Sequence, residues 1–133
     1  MNKVFIDTNI FLRFLLEDHK DQRDEAASIL RQGEQNESIL STSTLVIFEV
    51  HWVLSRFYKV NKPDLALLMS KILKMDFIEI KERDLLKKAL VLFNQNNITF
   101  QDCYNCLTAL SEGAIYLATF DKKLKKLFDF LKE

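Results

Sequence analysis

Gly33, Gly113 and Pro63 are the only glycines and the only proline in a chain of 133 residues. Tight hairpins draw on glycine for positive φ, so this supply leaves too little turn chemistry for a many-stranded sandwich or barrel. Helices must dominate. The same scarcity excludes both G-x-G-x-x-G and the Walker phosphate loop, which need clustered glycines, and so disfavours a nucleotide cofactor. A chain of this length can bury most of its apolar surface as one unit, and a single domain over residues 1–133 is expected. No apolar run approaches the roughly 20 residues that span a bilayer, so no membrane partner is expected.

Nineteen basic and nineteen acidic side chains cancel. A nucleic-acid partner would therefore be held by a local patch and not by the field of the whole protein. The start, Met1-Asn2-Lys3-Val4-Phe5-Ile6-Asp7, has too short an apolar segment for a secretory signal, and with only two cysteines a reducing cytoplasm is the expected location.

The chain alternates between two periods. Val4-Phe5-Ile6 reads as a buried strand ending at Asp7, after which Ile10, Phe11, Phe14 and Leu15 recur at helical spacing. A second helix is expected from about Asp21 to Gln32, with Gly33 just past its end. Ser38 to Thr42 reads as a strand, Ser43 or Thr44 as the cap of an apolar helix through Leu45, Phe48, Trp52 and Arg56, and Pro63 as the opening of another helix. Residues 76–80 alternate like a strand, residues 84–93 return to the helical period, and a helix from about Gln101 to Glu112 ends at Gly113. Residues 114–118 then read as one more strand, followed by a last helix carrying Leu124, Leu127, Phe128 and Leu131. Short apolar strands alternating with helices imply a mostly parallel sheet covered on both faces.

Glu49 shares a helical face with Leu45, Phe48 and Trp52, which would aim a carboxylate at the interior, either paired with an Arg or Lys or serving as a metal ligand. Asp7 and Asp121 stand where an apolar strand meets a helix, and Asp102 falls in a first helical turn behind Thr99. Each suits a helix cap. As a set they carry more, because the carboxyl ends of parallel strands share one edge of an open sheet, where ligands bind. If Glu49 and Asp102 reach that edge, four carboxylates converge. Like charges about 4 Å apart repel strongly unless cations neutralise them. Oxygen-only ligands select Mg²⁺ or Mn²⁺ over zinc, which suits phosphodiester hydrolysis.

These residues carry a resemblance. Val4-Phe5-Ile6-Asp7-Thr8-Asn9, the mid-helix Glu49 followed by Leu54, Phe100-Gln101-Asp102-Cys103, and Leu117-Ala118-Thr119-Phe120-Asp121 look like the successive motifs of the PIN domain. More narrowly, the chain is similar to the VapC-type toxin ribonucleases of bacterial and archaeal toxin–antitoxin pairs. The likeness covers nearly the whole chain in order. It implies an α/β, three-layer PIN-like fold, with a short, mostly parallel sheet of four to five strands flanked by helices on both faces. It also implies Mg²⁺- or Mn²⁺-dependent endonucleolytic cleavage of RNA, with Asp7, Glu49, Asp102 and Asp121 as the acidic ligands. Thr8, Asn9 and Thr119 match positions that support the site by hydrogen bonding, and Asn105, one turn past Asp102, would help through water. Two features depart from the pattern: Cys103 stands where Ala is usual, and residues 128–133 lack the usual closing strand.

Lys122 and Lys123, with Lys125 and Lys126, either draw in phosphates or form a solvated helix face. Phe11, Phe14, Leu15 and Leu16 make the first helix apolar over more than one face, and similar toxins form homodimers through such surfaces. The resemblance further implies an antitoxin partner whose tail crosses the acidic groove and presents a basic residue to it. Cys103-x-x-Cys106 lacks the further ligands of a zinc site and reads as buried thiols, and His51 points about 200° away from Glu49 around the helix. Two rival functions remain: a PIN-type nuclease acting in RNA processing or on structured DNA, and a catalytically silent module that only binds partners.

Overall fold

In the computed structural model, which describes residues 1–133, the first apolar run forms β1 (Asn2–Phe5) and leads directly into α1 (Thr8–Leu15). The chain divides into two compact units, Met1–Glu82 and Arg83–Glu133.

The first unit is α/β. After α1 come α2 (Lys20–Glu34), β2 (Ser38–Ser41), α3 (Thr44–Trp52), α4 (Lys62–Leu73) and β3 (Ile78–Glu79). The strands form one parallel sheet in the order β1-β2-β3, with Phe5 opposite Ser41 and Ser41 opposite Glu79. Pairing continues past the strand ends: Ile6 N donates to Ser41 O at 2.7 Å and Thr42 N to Glu79 O at 3.1 Å. The buried Thr42 hydroxyl also donates to Ile6 O at 2.8 Å, tying two strand ends together where both backbones leave the sheet. Ile6, Phe11, Leu40, Ile47, Leu54, Met69 and Ile78 fill the core between the sheet and its flanking helices.

Capping in this unit follows the residue chemistry. Ser43 Oγ accepts from Val46 N at 3.2 Å, and Asn61 Oδ1 from Asp64 N at 2.9 Å with Pro63 in the first turn of α4. Beyond Trp52, α3 continues as a π-helical turn over Val53–Phe57. Gly33, expected just past the end of α2, lies inside it. A Cβ at this position would stand 2.3 Å from Leu40 Cδ1, so its glycine serves the close approach of α2 to β2. The turn that follows is made by Asn36, with φ of 61°.

The second unit is helical: α5 (Arg83–Gln95), α6 (Phe100–Ser111) and α7 (Lys122–Lys132). Phe93 and Phe100 meet edge to face at 6.3 Å, and Cys103 and Cys106 are buried thiols that form no disulfide. Gly113, at φ 77°, ends α6: Ala114 N bonds to Ala109 O and Gly113 N to Leu110 O, the paired closure of a Schellman motif.

Four to five strands were expected and three form. Residues 114–118 are not a strand, and Ile115 and Tyr116 are 79% and 70% exposed. A short apolar run becomes a strand only where another strand satisfies its backbone, and here the Ile115 carbonyl accepts instead from the Lys132 ammonium. Residues 76–80 likewise pair over only Ile78–Glu79.

Candidate functional site

Asp7 sits at the carboxyl edge of the sheet, two residues beyond the paired Phe5, and caps α1 as its Oδ1 accepts from Thr8 N at 2.8 Å. One oxygen is thereby committed and the other remains on an exposed side chain. Thr8 is only 5% exposed, and its hydroxyl has no hydrogen-bond partner. An unmet buried hydroxyl beside a carboxylate is a place for a further oxygen-seeking group. Asn9 is exposed in the same turn.

Glu49 differs from expectation. It does share a helical face with Leu45 and Trp52, but that face is the exposed one: Leu45 is 76% and Trp52 54% accessible, and Glu49 is exposed with them. The buried stripe is Val46, Ile47, Val50, His51 and Leu54. Residues 45–54 are apolar on nearly every side, so periodicity alone could not say which stripe meets the core. Glu49 takes no part in the ion pairs Lys3–Glu79, Arg13–Asp18 and Arg23–Glu17. His51, buried on the opposite stripe, has its pKa pushed down by burial to about 4 and is neutral at pH 7.

In the second unit Thr99 caps α6, its Oγ1 accepting from Asp102 N at 3.1 Å, which leaves the half-buried Asp102 carboxylate free of capping duty. Asn105 is exposed one turn on, on the same side of the helix. No strand precedes Asp121, contrary to expectation, yet it caps α7 as its Oδ1 accepts from Lys123 N at 3.0 Å and Leu124 N at 3.1 Å. Asp121 N in turn donates to Thr119 Oγ1 at 3.0 Å, so Thr119 holds the chain in place just before the cap. Lys122 and Lys123 are exposed in the first turn of α7.

The predicted acids therefore divide two and two: Asp7 and Glu49 in the first unit, Asp102 and Asp121 in the second. Within neither unit do three or more His, Cys, Asp or Glu side chains gather into a metal-holding group. The capping and ligand readings of Asp7 and Asp121 are compatible, since each cap uses a single oxygen. The donor chemistry is all oxygen, which suits a hard divalent cation, and the unpartnered Thr8 hydroxyl adds one more oxygen beside Asp7. Two features had escaped the sequence reading. One is the Thr42 clasp; the other is a groove along α7 that joins Lys123 and Lys126, already noted for their charge, to Phe130, whose signal was the i, i+3, i+7 spacing of the three.

The PIN domain family model matches residues 4–128, a stretch that runs through both units. The VapC ribonuclease of Aquifex aeolicus (strain VF5) is 23% identical over 122 residues, covering 92% of this chain and 90% of that protein. No helix is long and apolar enough to cross a membrane.

Proposed function

We propose, from the premise that this chain belongs to the PIN domain family, that it is a VapC-type endoribonuclease, the toxin half of a toxin–antitoxin pair, hydrolysing RNA phosphodiester bonds in the cytoplasm with Mg²⁺ or Mn²⁺. The observation that carries this reading is the family match over residues 4–128, which takes in Asp7, Glu49, Asp102 and Asp121 in order. The similarity to a VapC ribonuclease along 92% of the chain supports the narrower assignment.

On this reading Asp7, Glu49, Asp102 and Asp121 hold the cation and orient the attacking water, supported by Thr8, Asn9, Asn105 and Thr119. When bound, the cation supplies Lewis acidity to the water and charge to the leaving oxygen. The chain's own contribution is orientation. Backbone N–H groups of Thr8, Lys123 and Leu124 pin one oxygen each of Asp7 and Asp121, and the helix starts behind them favour the ionised carboxylates. Lys122 and Lys123 offset the charge of substrate phosphates. The antitoxin would cover the acids with a basic side chain, and a homodimer would form through α1. Its surface would be Phe14, Leu15 and Leu16, since Phe11 is fully buried and cannot serve a partner.

Purified protein incubated with a panel of RNAs and structured DNAs, in Mn²⁺ and in EDTA, tests the assignment. Cleavage of RNA in Mn²⁺ that EDTA abolishes is expected. Cleavage confined to structured DNA would move the chain to another branch of nuclease function, persistence in EDTA would remove the metal mechanism, and silence on every substrate would leave a binding module.

A further inference from the structure

α7 has charge where helices disfavour it. Lys122 and Lys123 occupy its first turn, which holds no acid, and Lys125 and Lys126 follow in the next. The positive end of the helix dipole costs an exposed cation there a few tenths of a kcal/mol. Two of the four, Lys123 and Lys126, lie one turn apart along an open groove of about 500 Å³ between α7 and the α5–α6 connection. Asn97 and Ile98 form the far wall, and Phe130, 74% exposed, stands at the other end on α7. No acid lines this groove; the nearest on α7, Asp129, is turned away from it. Asn96 is engaged in closing α5, its Nδ2 donating to Leu92 O at 3.0 Å, whereas the exposed Asn97 amide lies beside the groove.

Ile98, Leu127 and Phe130 make most of the groove's surface apolar, and Lys123 and Lys126 edge it with positive charge. Two cations with no acid complement a row of phosphates, a bare aromatic face offers a stacking platform, and an amide offers a donor and an acceptor to a base edge. The groove begins two residues past Asp121, on the helix that Asp121 caps. A substrate strand leaving that carboxylate would have cationic surface under it for the next two turns.

We infer that this groove is a subsite for single-stranded RNA, in which Lys123 and Lys126 hold successive phosphates, Phe130 stacks on a base and Asn97 contacts its edge. The inference rests on the ribonuclease reading above and adds to it the place where the flanking nucleotides bind.

The test measures binding of a labelled single-stranded RNA of about ten nucleotides to the intact protein in EDTA, together with KM and kcat for cleavage in Mn²⁺. Phe130→Ala should weaken binding about tenfold and raise KM with kcat little changed, while Phe130→Trp keeps the affinity. Lys126→Gln should lower the slope of log affinity against log salt by about 0.7, and Lys125→Gln, outside the groove, should leave affinity unchanged. Parental RNA binding and cleavage that Phe130→Ala and Lys126→Gln do not alter would overturn the subsite alone. A chain that neither binds nor cleaves RNA would overturn the ribonuclease reading with it. If Phe130→Ala instead changes the sedimenting species and not RNA affinity, the groove is a contact between copies of the chain and the inference falls.

Discussion

Asp7 and Asp121 each cap a helix, and the proposed ligand role can be separated from the capping by one atom. Asparagine caps a helix about as well as aspartate but carries no charge. Asp7→Asn should therefore melt within about 1 kcal/mol of the parent while losing at least about 100-fold in cleavage; a fully active variant would remove Asp7 from the site. Glu49→Gln should behave alike, and for a different reason: the side chain is exposed and in no ion pair, so its stability should change by no more than about 0.5 kcal/mol. Thermal melts beside cleavage rates check both. His51 should set part of the acid limit. Its folded pKa of about 4 lies below the ordinary histidine value of 6.5, so the unfolded chain takes up the proton first as the pH falls. The stability it contributes is complete above pH about 6.5 and is lost toward pH 4, up to about 3 kcal/mol. Urea midpoints across that range should fall less steeply for His51→Leu than for the parent.

At the scale of elements, the two glycines serve opposite ends and should respond to alanine for unlike reasons. At Gly33 alanine gains about 1 kcal/mol of helix propensity, but its Cβ would press within 2.5 Å of the Leu40 Cγ. Overpacking a buried contact costs about 1–3 kcal/mol, so Gly33→Ala should be destabilised on balance. At Gly113 nothing lies within 4 Å of an added Cβ, and the cost is the φ of 77° alone, about 1–2 kcal/mol. Denaturant unfolding of both variants, with Gly33→Ala repeated in a Leu40→Ala background that removes both clashing carbons, distinguishes packing from backbone strain. The starts of α3, α6 and α7 were readable, because Ser43, Thr99 and Asp121 cap with their own side chains. The strand expected at residues 114–118 was not, because pairing depends on a neighbour that is remote in sequence.

For the whole molecule, the proposed homodimer is the assertion most open to measurement. Phe14 and Leu15 on α1 and Leu16 just past its end are half-buried, and Lys71 lies over the Phe14 ring at 5.0 Å, so the ring is already partly covered within the protomer. Leu15→Glu should leave the fold intact and give a monomer in light scattering at concentrations where the parent is a dimer; a monomeric parent at high micromolar concentration would end the proposal. An antitoxin that presents a basic side chain to the acids should bind Asp7→Asn more weakly than the parent, which calorimetry in EDTA would read.

Local chemistry sufficed for much of this protein. Scarce glycine and proline excluded hairpin-rich folds, the strand-to-helix transition at Asp7 marked the sheet edge, though the one expected at Asp121 has no strand before it, and the order of the motifs carried the family. Such features depend on neighbours within a few residues, so a linear reading reaches them. Tertiary packing settled the rest. It chose Val46 and Val50 over Leu45 and Trp52 as the buried stripe of α3, put Glu49 in solvent, and used Gly33 for close approach and not for a helix end. Each of those outcomes turns on which surface a segment meets, and an all-round apolar helix or an unpaired strand contains no record of its partner.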